Sequence, residues 1–338
     1  MVAGSPRAVE DDAYASCARN AGRHYENFPV ASLLLPRHAR RHVAAVYAFA
    51  RAADDFADEG EWTAPERKQL LDGWAHRLRQ AISTNEPGVP PRAGEPSNTE
   101  DIFVALGGTI RECSLPLGLF EDLLSAFRQD VDVTRYNTWA ELLDYCRRSA
   151  NPVGRLVLRI SGKTEAQLDA WSDDICTALQ LTNFWQDVTE DYERGRVYLP
   201  LEEQQLHDVR EEDLAKGCIT PAWQQALSAA ALRTRDLFES GRPLCDSLRG
   251  RLRYELRATW LGGTRVLDRL GDVGFDVARR RPTLGALDVP RIAWQMLAWT
   301  THRVPLAYGG RVGPSERTDP PYLLRRVAKR PGPGRGGP

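Results

Sequence analysis

The chain lacks the marks of several large protein classes. Its apolar runs, such as VAAVYAFA at 43–50, are far shorter than the ~20 residues a transmembrane helix needs. The N-terminus, MVAGSPRAVEDDAYASCARN, has no apolar core and does not read as a signal peptide. The six cysteines (Cys17, Cys113, Cys146, Cys176, Cys218 and Cys245) are scattered, with no two at zinc-ligand spacing. They fit reduced thiols in a cytoplasmic protein. Charge of one sign is missing too: 45 basic residues face 46 acidic ones, for a net charge of -1. Such a balance offers nothing to a nucleic acid. Strand alternation and two-residue hairpin signals are scarce, and no internal repeat or mid-chain shift in composition is visible.

What is present is helical. With 42% hydrophobic and 27% charged residues over 338 positions, the chain has the composition of a folded globular protein. Apolar residues recur at three- and four-residue spacing in 65–82, 101–127, 139–160, 166–192, 222–247 and 252–270. Turn chemistry separates them, as in STNEPGVPPRAGEPSNT at 83–99 and GCITP at 217–221. The pattern predicts an all-α, single-domain bundle of about ten helices over residues 15–305. A flexible stretch, 1–14, is expected before it, and a disordered basic tail rich in Gly and Pro, 306–338, after it. Within that tail, LLRRVAKR at 323–330 is the segment suited to anionic lipid; a solvated basic tail is the plainer account.

Two helices carry acids at the wrong end. YAFARAADDFADEG, 47–60, closes an apolar helix with Asp54, Asp55, Asp58 and Glu59, where the backbone carbonyls are already negative. ICTALQLTNFWQDVTEDYERG, 175–195, repeats the arrangement, with Asn183, Asp187 and Asp191 stepping by four along one face and Gly195 as the stop. Either cluster alone reads as a solvated helix face, paired through Arg51 in the first case and Arg194 or Arg196 in the second. Two matching clusters below apolar stripes (Val43 and Tyr47; Cys176 and Leu179) point instead to Mg²⁺ and a diphosphate. Mg²⁺ binds through a few carboxylates plus substrate phosphates, and an isoprenoid chain would lie among the apolar residues.

At these residues the sequence resembles the squalene and phytoene synthase family, in YAFARAADDFADE (47–59) and NFWQDVTEDYERGRVYLP (183–200). The resemblance implies an all-helical isoprenoid synthase fold around a central apolar cavity. It implies Asp54, Asp58, Asn183, Asp187 and Asp191 as magnesium ligands, with Asp55 beside them and Mn²⁺ as an acceptable substitute. Arg51, Arg196 and Tyr198 would reach diphosphate oxygens, and Tyr47 would line the reaction chamber. His24 is a further site candidate.

Departures from the family pattern narrow the expectation. HYENFPVASLLLP at 24–36 retains His24 and Phe28 but places Glu26 where a second substrate's diphosphate would be held. SANPVG at 149–154 replaces a run of small residues; Pro152 should kink its helix, and the Asn151 amide is suited to orienting a water. Gln186 stands where condensing relatives often carry Arg. These features resemble the hydroxysqualene synthase branch of hopanoid gene clusters, which ionises presqualene diphosphate and captures the cation with water. No NADPH is expected, as no Gly-x-Gly-x-x-Gly follows a strand. Condensation of two prenyl diphosphates is the alternative, and a non-catalytic helical scaffold a third. The expected location is cytoplasmic, with peripheral contact at the inner face of a membrane and transfer to or from neighbouring pathway enzymes left open.

Overall fold

Helical periodicity becomes helix wherever the apolar stripe finds a partner. The computed structural model describes residues 6–23, 34–83 and 91–299, and among them every regular element is an α-helix, with no strand. The order is α1 (Pro6–Arg23), α2 (Arg37–Asp58), α3 (Ala64–Ser83), α4 (Thr99–Cys113), α5 (Leu117–Asp130), α6 (Trp139–Ser149), α7 (Asn151–Ile160), α8 (Ala166–Gln186), α9 (Val188–Glu193), α10 (Leu201–Leu206), α11 (Glu212–Ala215), α12 (Pro221–Gly241), α13 (Pro243–Ser247), α14 (Gly250–Asp272) and α15 (Asp288–Leu297). The tail 306–338 lies outside the described residues.

Three corrections to the sequence reading have physical causes. Helix α1 begins at Pro6, inside the stretch 1–14 expected to be flexible. Ala13, Tyr14 and Cys17 form a buried stripe there, and the Tyr14 hydroxyl meets Thr109 Oγ1 at 3.0 Å. The helices are also more numerous than about ten, since several long periodic stretches are broken. Residues 101–127 divide at Ser114, whose φ of 51° ends α4, followed by Pro116. Residues 139–160 divide at Ala150, with Pro152 in the first turn of α7. There its missing N–H has no helical partner to lose, so the expected kink is a clean break between two helices.

α2 is the hub of the first half, packing on α1, α3, α4, α5 and α7. Its buried face is largely alanine (Ala39, Ala45, Ala48, Ala52, Ala53), which lets neighbours approach closely. Phe49 stands between Trp74, Phe103 and Phe120 at ring-centroid distances of 5.9, 6.1 and 5.6 Å. The second half is organised by α8, packed on α7, α12 and α14. Gly154 permits the α7–α8 approach: a Cβ there would overlap Ser172 Oγ and Cys176 Sγ. α2 and α8 thereby become the rigid carriers of the two acidic ends.

Candidate active site

No basic residue lies in the last turn of α2, so its charge must be answered from elsewhere. Arg67 of α3 donates to the carbonyls of Phe56, Glu59 and Gly60 at 3.0, 2.9 and 2.9 Å, and so caps the helix end. Arg51 reaches Asp54 at 3.4 Å, Asp55 at 2.8 Å and Glu59 at 3.6 Å. Asp58 is taken by Arg196 through two bonds of 3.0 and 2.6 Å. That fork joins the first acidic motif to the second across 138 positions of sequence.

Local backbone chemistry puts Arg196 there. α8 ends at Gln186 and Asp187 adopts φ −107°, ψ 16°, so 175–195 is not one continuous helix as expected. Helical bonds nevertheless run through the break, from Asp187 N to Asn183 O at 2.9 Å and from Asp191 N to Asp187 O at 2.8 Å. The three polar positions therefore keep their common face. α9 stops as the sequence suggested: Gly195 has φ 81°, Arg196 N bonds Asp191 O and Gly195 N bonds Tyr192 O, each at 2.8 Å. This is a Schellman turn, which favours glycine because it needs positive φ. It sends Arg196 back toward α2, where it also donates to the Asp130 carbonyl at 3.2 Å.

Two partners were not anticipated. Arg281 grips Asp187 with bonds of 2.7 and 3.1 Å and lies 3.3 Å from Glu190. Gln186, read as a departure from the family pattern, donates to the Pro282 carbonyl at 2.5 Å, anchoring the segment that carries Arg281. The triple arginine at 279–281 was the available signal. Asp130, at the end of α5, is the other: it accepts from the Tyr145 hydroxyl at 3.0 Å, and nothing in its surrounding sequence marks it.

The arginines do not neutralise the site. Burial first, then Asp58, raises the Asp54 carboxyl to about 6. Burial raises Asp130 to about 7 against the Tyr145 hydrogen bond and Arg196. Asp191 is likewise raised to about 7 by burial and then Asp187. Asp54 still keeps 40% of its side-chain surface accessible, which together with its desolvation describes a carboxylate in a concavity. Among the described residues no group of three or more His, Cys, Asp or Glu side chains is placed to hold a metal ion. Asp54, Asp58, Asp187 and Asp191 are oxygen donors at the ends of the two motifs, and a cation there would need further oxygens from water or substrate to complete its shell. Such a set suits Mg²⁺, which retains waters and takes phosphate oxygens. Asn183, on the last turn of α8, is exposed, and Asp55 is half-buried.

Apolar and aromatic groups adjoin the acids. Tyr198 is buried and stacks on Phe184 at 3.6 Å with the rings 7° from parallel, and Tyr136 follows at 6.0 Å. Tyr47 senses Arg51, Asp55 and Asp54, and its hydroxyl is raised chiefly by burial. Val43, Tyr47, Cys176 and Leu179, the expected chamber wall, are all half-buried. Burial pushes the Cys176 thiol up to about 11, and its Sγ lies against Gly154 in the α7–α8 contact. Asn151 is buried, and its amide oxygen accepts from Thr177 Oγ1 at 2.9 Å. What remains for a water is the amide nitrogen. His24 and Glu26 lie outside the described residues.

Comparison with known proteins shows the family and the fold. Residues 21–288 match the family described as squalene/phytoene synthase. The hydroxysqualene synthase of Rhodopseudomonas palustris is 37% identical over 226 residues, covering 66% of this chain and 72% of its own. The 15-cis-phytoene synthase of Synechococcus elongatus is 31% identical over 282 residues, 80% of this chain and 87% of its own. Among solved structures, squalene synthase HpnC from Alicyclobacillus acidocaldarius superposes with TM-score 0.70 at 36% identity, covering 79% of this chain and 95% of that one. A dehydrosqualene synthase solved with a ligand has TM-score 0.75 at 20% identity, covering 87% and 99%; it shares the all-α isoprenoid synthase fold.

Proposed function

The chain belongs to the squalene/phytoene synthase family, and from that premise we propose that it converts presqualene diphosphate to hydroxysqualene with Mg²⁺ bound at the two acidic motifs. The observation that carries the reading is the Arg196–Asp58 fork, which makes one charged mouth of two distant motifs; the half-buried Val43, Tyr47, Cys176 and Leu179 lie further back on the two helices that carry them. The relatives at 36–37% identity, named hydroxysqualene synthase and squalene synthase, support the product.

In this reaction the C–O bond to the diphosphate breaks and its electron pair leaves with the diphosphate. A water oxygen then forms the new C–O bond and releases a proton. No reductant is consumed. Asp54, Asp58, Asn183, Asp187 and Asp191 would hold the metal, with Asp55 beside them. A divalent cation there supplies Lewis-acid stabilisation of the leaving diphosphate. Arg51, Arg196 and Arg281 are this chain's own cations at the mouth, able to exchange carboxylate for phosphate oxygens with the same fork geometry. Tyr47, half-buried on α2, is the ring suited to a carbocation, and the Asn151 nitrogen is positioned by Thr177 to hold a water.

The test supplies presqualene diphosphate, Mg²⁺ and ¹⁸O water without NADPH. Labelled hydroxysqualene is expected, and an unlabelled hydroxyl refutes ionisation and capture. Asn151→Ala should raise the share of eliminated or rearranged hydrocarbon while substrate is still consumed. Condensation of two prenyl diphosphates is the second reading, favoured by the longer span of similarity to phytoene synthase. Efficient C30 or C40 product from farnesyl or geranylgeranyl diphosphate alone would establish it instead.

A further inference from the structure

The last described helix is turned the wrong way round for a soluble surface. In α15 the side facing α14 carries Asp288, which is 2% exposed and bonded to Arg265 at 3.0 Å and Arg269 at 2.6 Å. The outer side carries apolar groups. Leu287 is 86% exposed, Trp294 70% and Leu297 68%. Positions 287, 294 and 297 are seven and three residues apart and share one helix face, so the exposure is a stripe and not a scatter. Val289, elsewhere on the first turn, is exposed too, as is Leu284 just before the helix. Large contiguous apolar patches on a folded surface mark interaction sites.

The charges around the stripe name the partner. Between residues 277 and 299 the only acid is the buried Asp288, whereas Arg279, Arg280, Arg281 and Arg291 are all exposed. Beside the N-terminal end of α15 a cavity of about 260 Å³ is lined by Arg265, Arg269, Arg280 and Arg281, with Asp272 as its one acid. A tryptophan–leucine stripe with arginine flanks is the chemistry of a helix lying in a bilayer interface, and exposed arginines add attraction to anionic headgroups. Among the described residues no helix is long and apolar enough to cross a membrane. Arg279 is answered by Asp276 at 3.1 Å and Arg281 by Asp187 at 2.7 Å; another protein's apolar groove would explain the leucines but not Arg280 and Arg291, which are exposed and have no acidic partner among the described residues.

We propose that α15 is a membrane-docking element that lays Leu287, Trp294 and Leu297 into the interface of an anionic lipid bilayer. Docking there sets the mouth beside the lipid, since Arg281 belongs both to the cationic flank and to the Asp187 ion pair. The long apolar chains of this family's prenyl diphosphate substrates would then pass between bilayer and protein with little exposure to water. The inference rests on family membership and on α15, and on no particular product.

The full-length chain is floated with vesicles of phosphatidylcholine mixed with phosphatidylglycerol, and with vesicles of phosphatidylcholine alone. Strong flotation is expected only with the mixture. The triple variant Leu287→Ser, Trp294→Ser, Leu297→Ser should bind at least about tenfold more weakly while keeping its thermal melt and its turnover in detergent. Arg279→Gln with Arg291→Gln should weaken binding and flatten its salt dependence. Quenching by bromine-labelled lipid should be lost in Trp294→Phe. Three results overturn the proposal: no flotation of the unaltered protein, undiminished flotation of the triple variant, or a concentration-dependent dimer that the triple variant abolishes while lipid binding is absent. The second would assign lipid binding to the basic tail, and the third would assign the stripe to a second copy of the chain.

Discussion

Glu255 allows a stability prediction in which the sign and size both come from its surroundings. It lies in the second turn of α14, 7% exposed, and its Oε2 has no hydrogen-bond partner among the described residues. Burial raises its carboxyl from 4.5 to about 8, with Arg40 opposing. In the unfolded chain this side chain ionises near 4.5, whereas the folded protein keeps the proton until about pH 8. Across that interval the folded state binds more protons than the unfolded one, so stability falls as pH rises. Below the unfolded value there is no penalty, and above the folded value it is complete. At 1.36 kcal/mol per pH unit, the penalty near pH 7, ~2.5 units above the unfolded value, is about 3 kcal/mol. Glu255→Gln removes the ionisation and keeps the shape. Guanidinium unfolding of both proteins from about pH 5 to about pH 8 should show the variant gaining on the parent by about 1 kcal/mol per pH unit. Any constant offset from the new amide is independent of pH. Parallel stability profiles, or a parent that gains with pH, would refute the assignment of Glu255 as a buried, uncompensated carboxyl.

The site yields three more predictions. Asp54→Asn and Asp187→Asn should each lower turnover by at least about a hundredfold with the helical circular dichroism unchanged. Asp54→Asn should melt no lower than the parent, because it removes a carboxylate that burial and Asp58 already disfavour; normal turnover in either variant would sink the ligand assignment. EDTA should abolish turnover and Mg²⁺ restore it, with Mn²⁺ substituting as another oxygen-preferring ion; full activity in chelator would rule the mechanism out. Gly154→Ala should destabilise the protein by about 1–3 kcal/mol in denaturant unfolding, as its methyl group would overlap Ser172 Oγ and Cys176 Sγ; an unchanged or higher midpoint would mean that these two side chains turn aside and that alanine's helix propensity offsets the contact.

Helical period and the two acidic motifs are local properties, and one sequence suffices to read them. The placement of α2 and α8, the Gly195 stop and the half-buried run of Val43, Tyr47, Cys176 and Leu179 all follow from residues three to seven positions apart. Charge crowding at a helix C-terminus is visible for the same reason, because the macrodipole belongs to the helix itself. What a break does is less legible, since Ser114, Ala150 and Asp187 interrupt helices whose apolar pattern runs on unbroken. There, a single residue's φ and the packing of the next turn outweigh periodicity.

Only the tertiary structure chose which cation answers which acid. Arg67 on the α2 carbonyls, Arg196 on Asp58 and Arg281 on Asp187 are pairings over 7 to 138 positions, and 45 basic residues offer too many candidates for spacing to select among them. Asp130 is recognisable only once α5 ends beside Arg196 and Tyr145. The exposure of α15 is of the same kind: its sequence is amphipathic, but Asp288 must find Arg265 and Arg269 inside before Leu287, Trp294 and Leu297 are left outside. An apolar stripe predicts that a helix has something to bury; which face the fold buries depends on the partners waiting there.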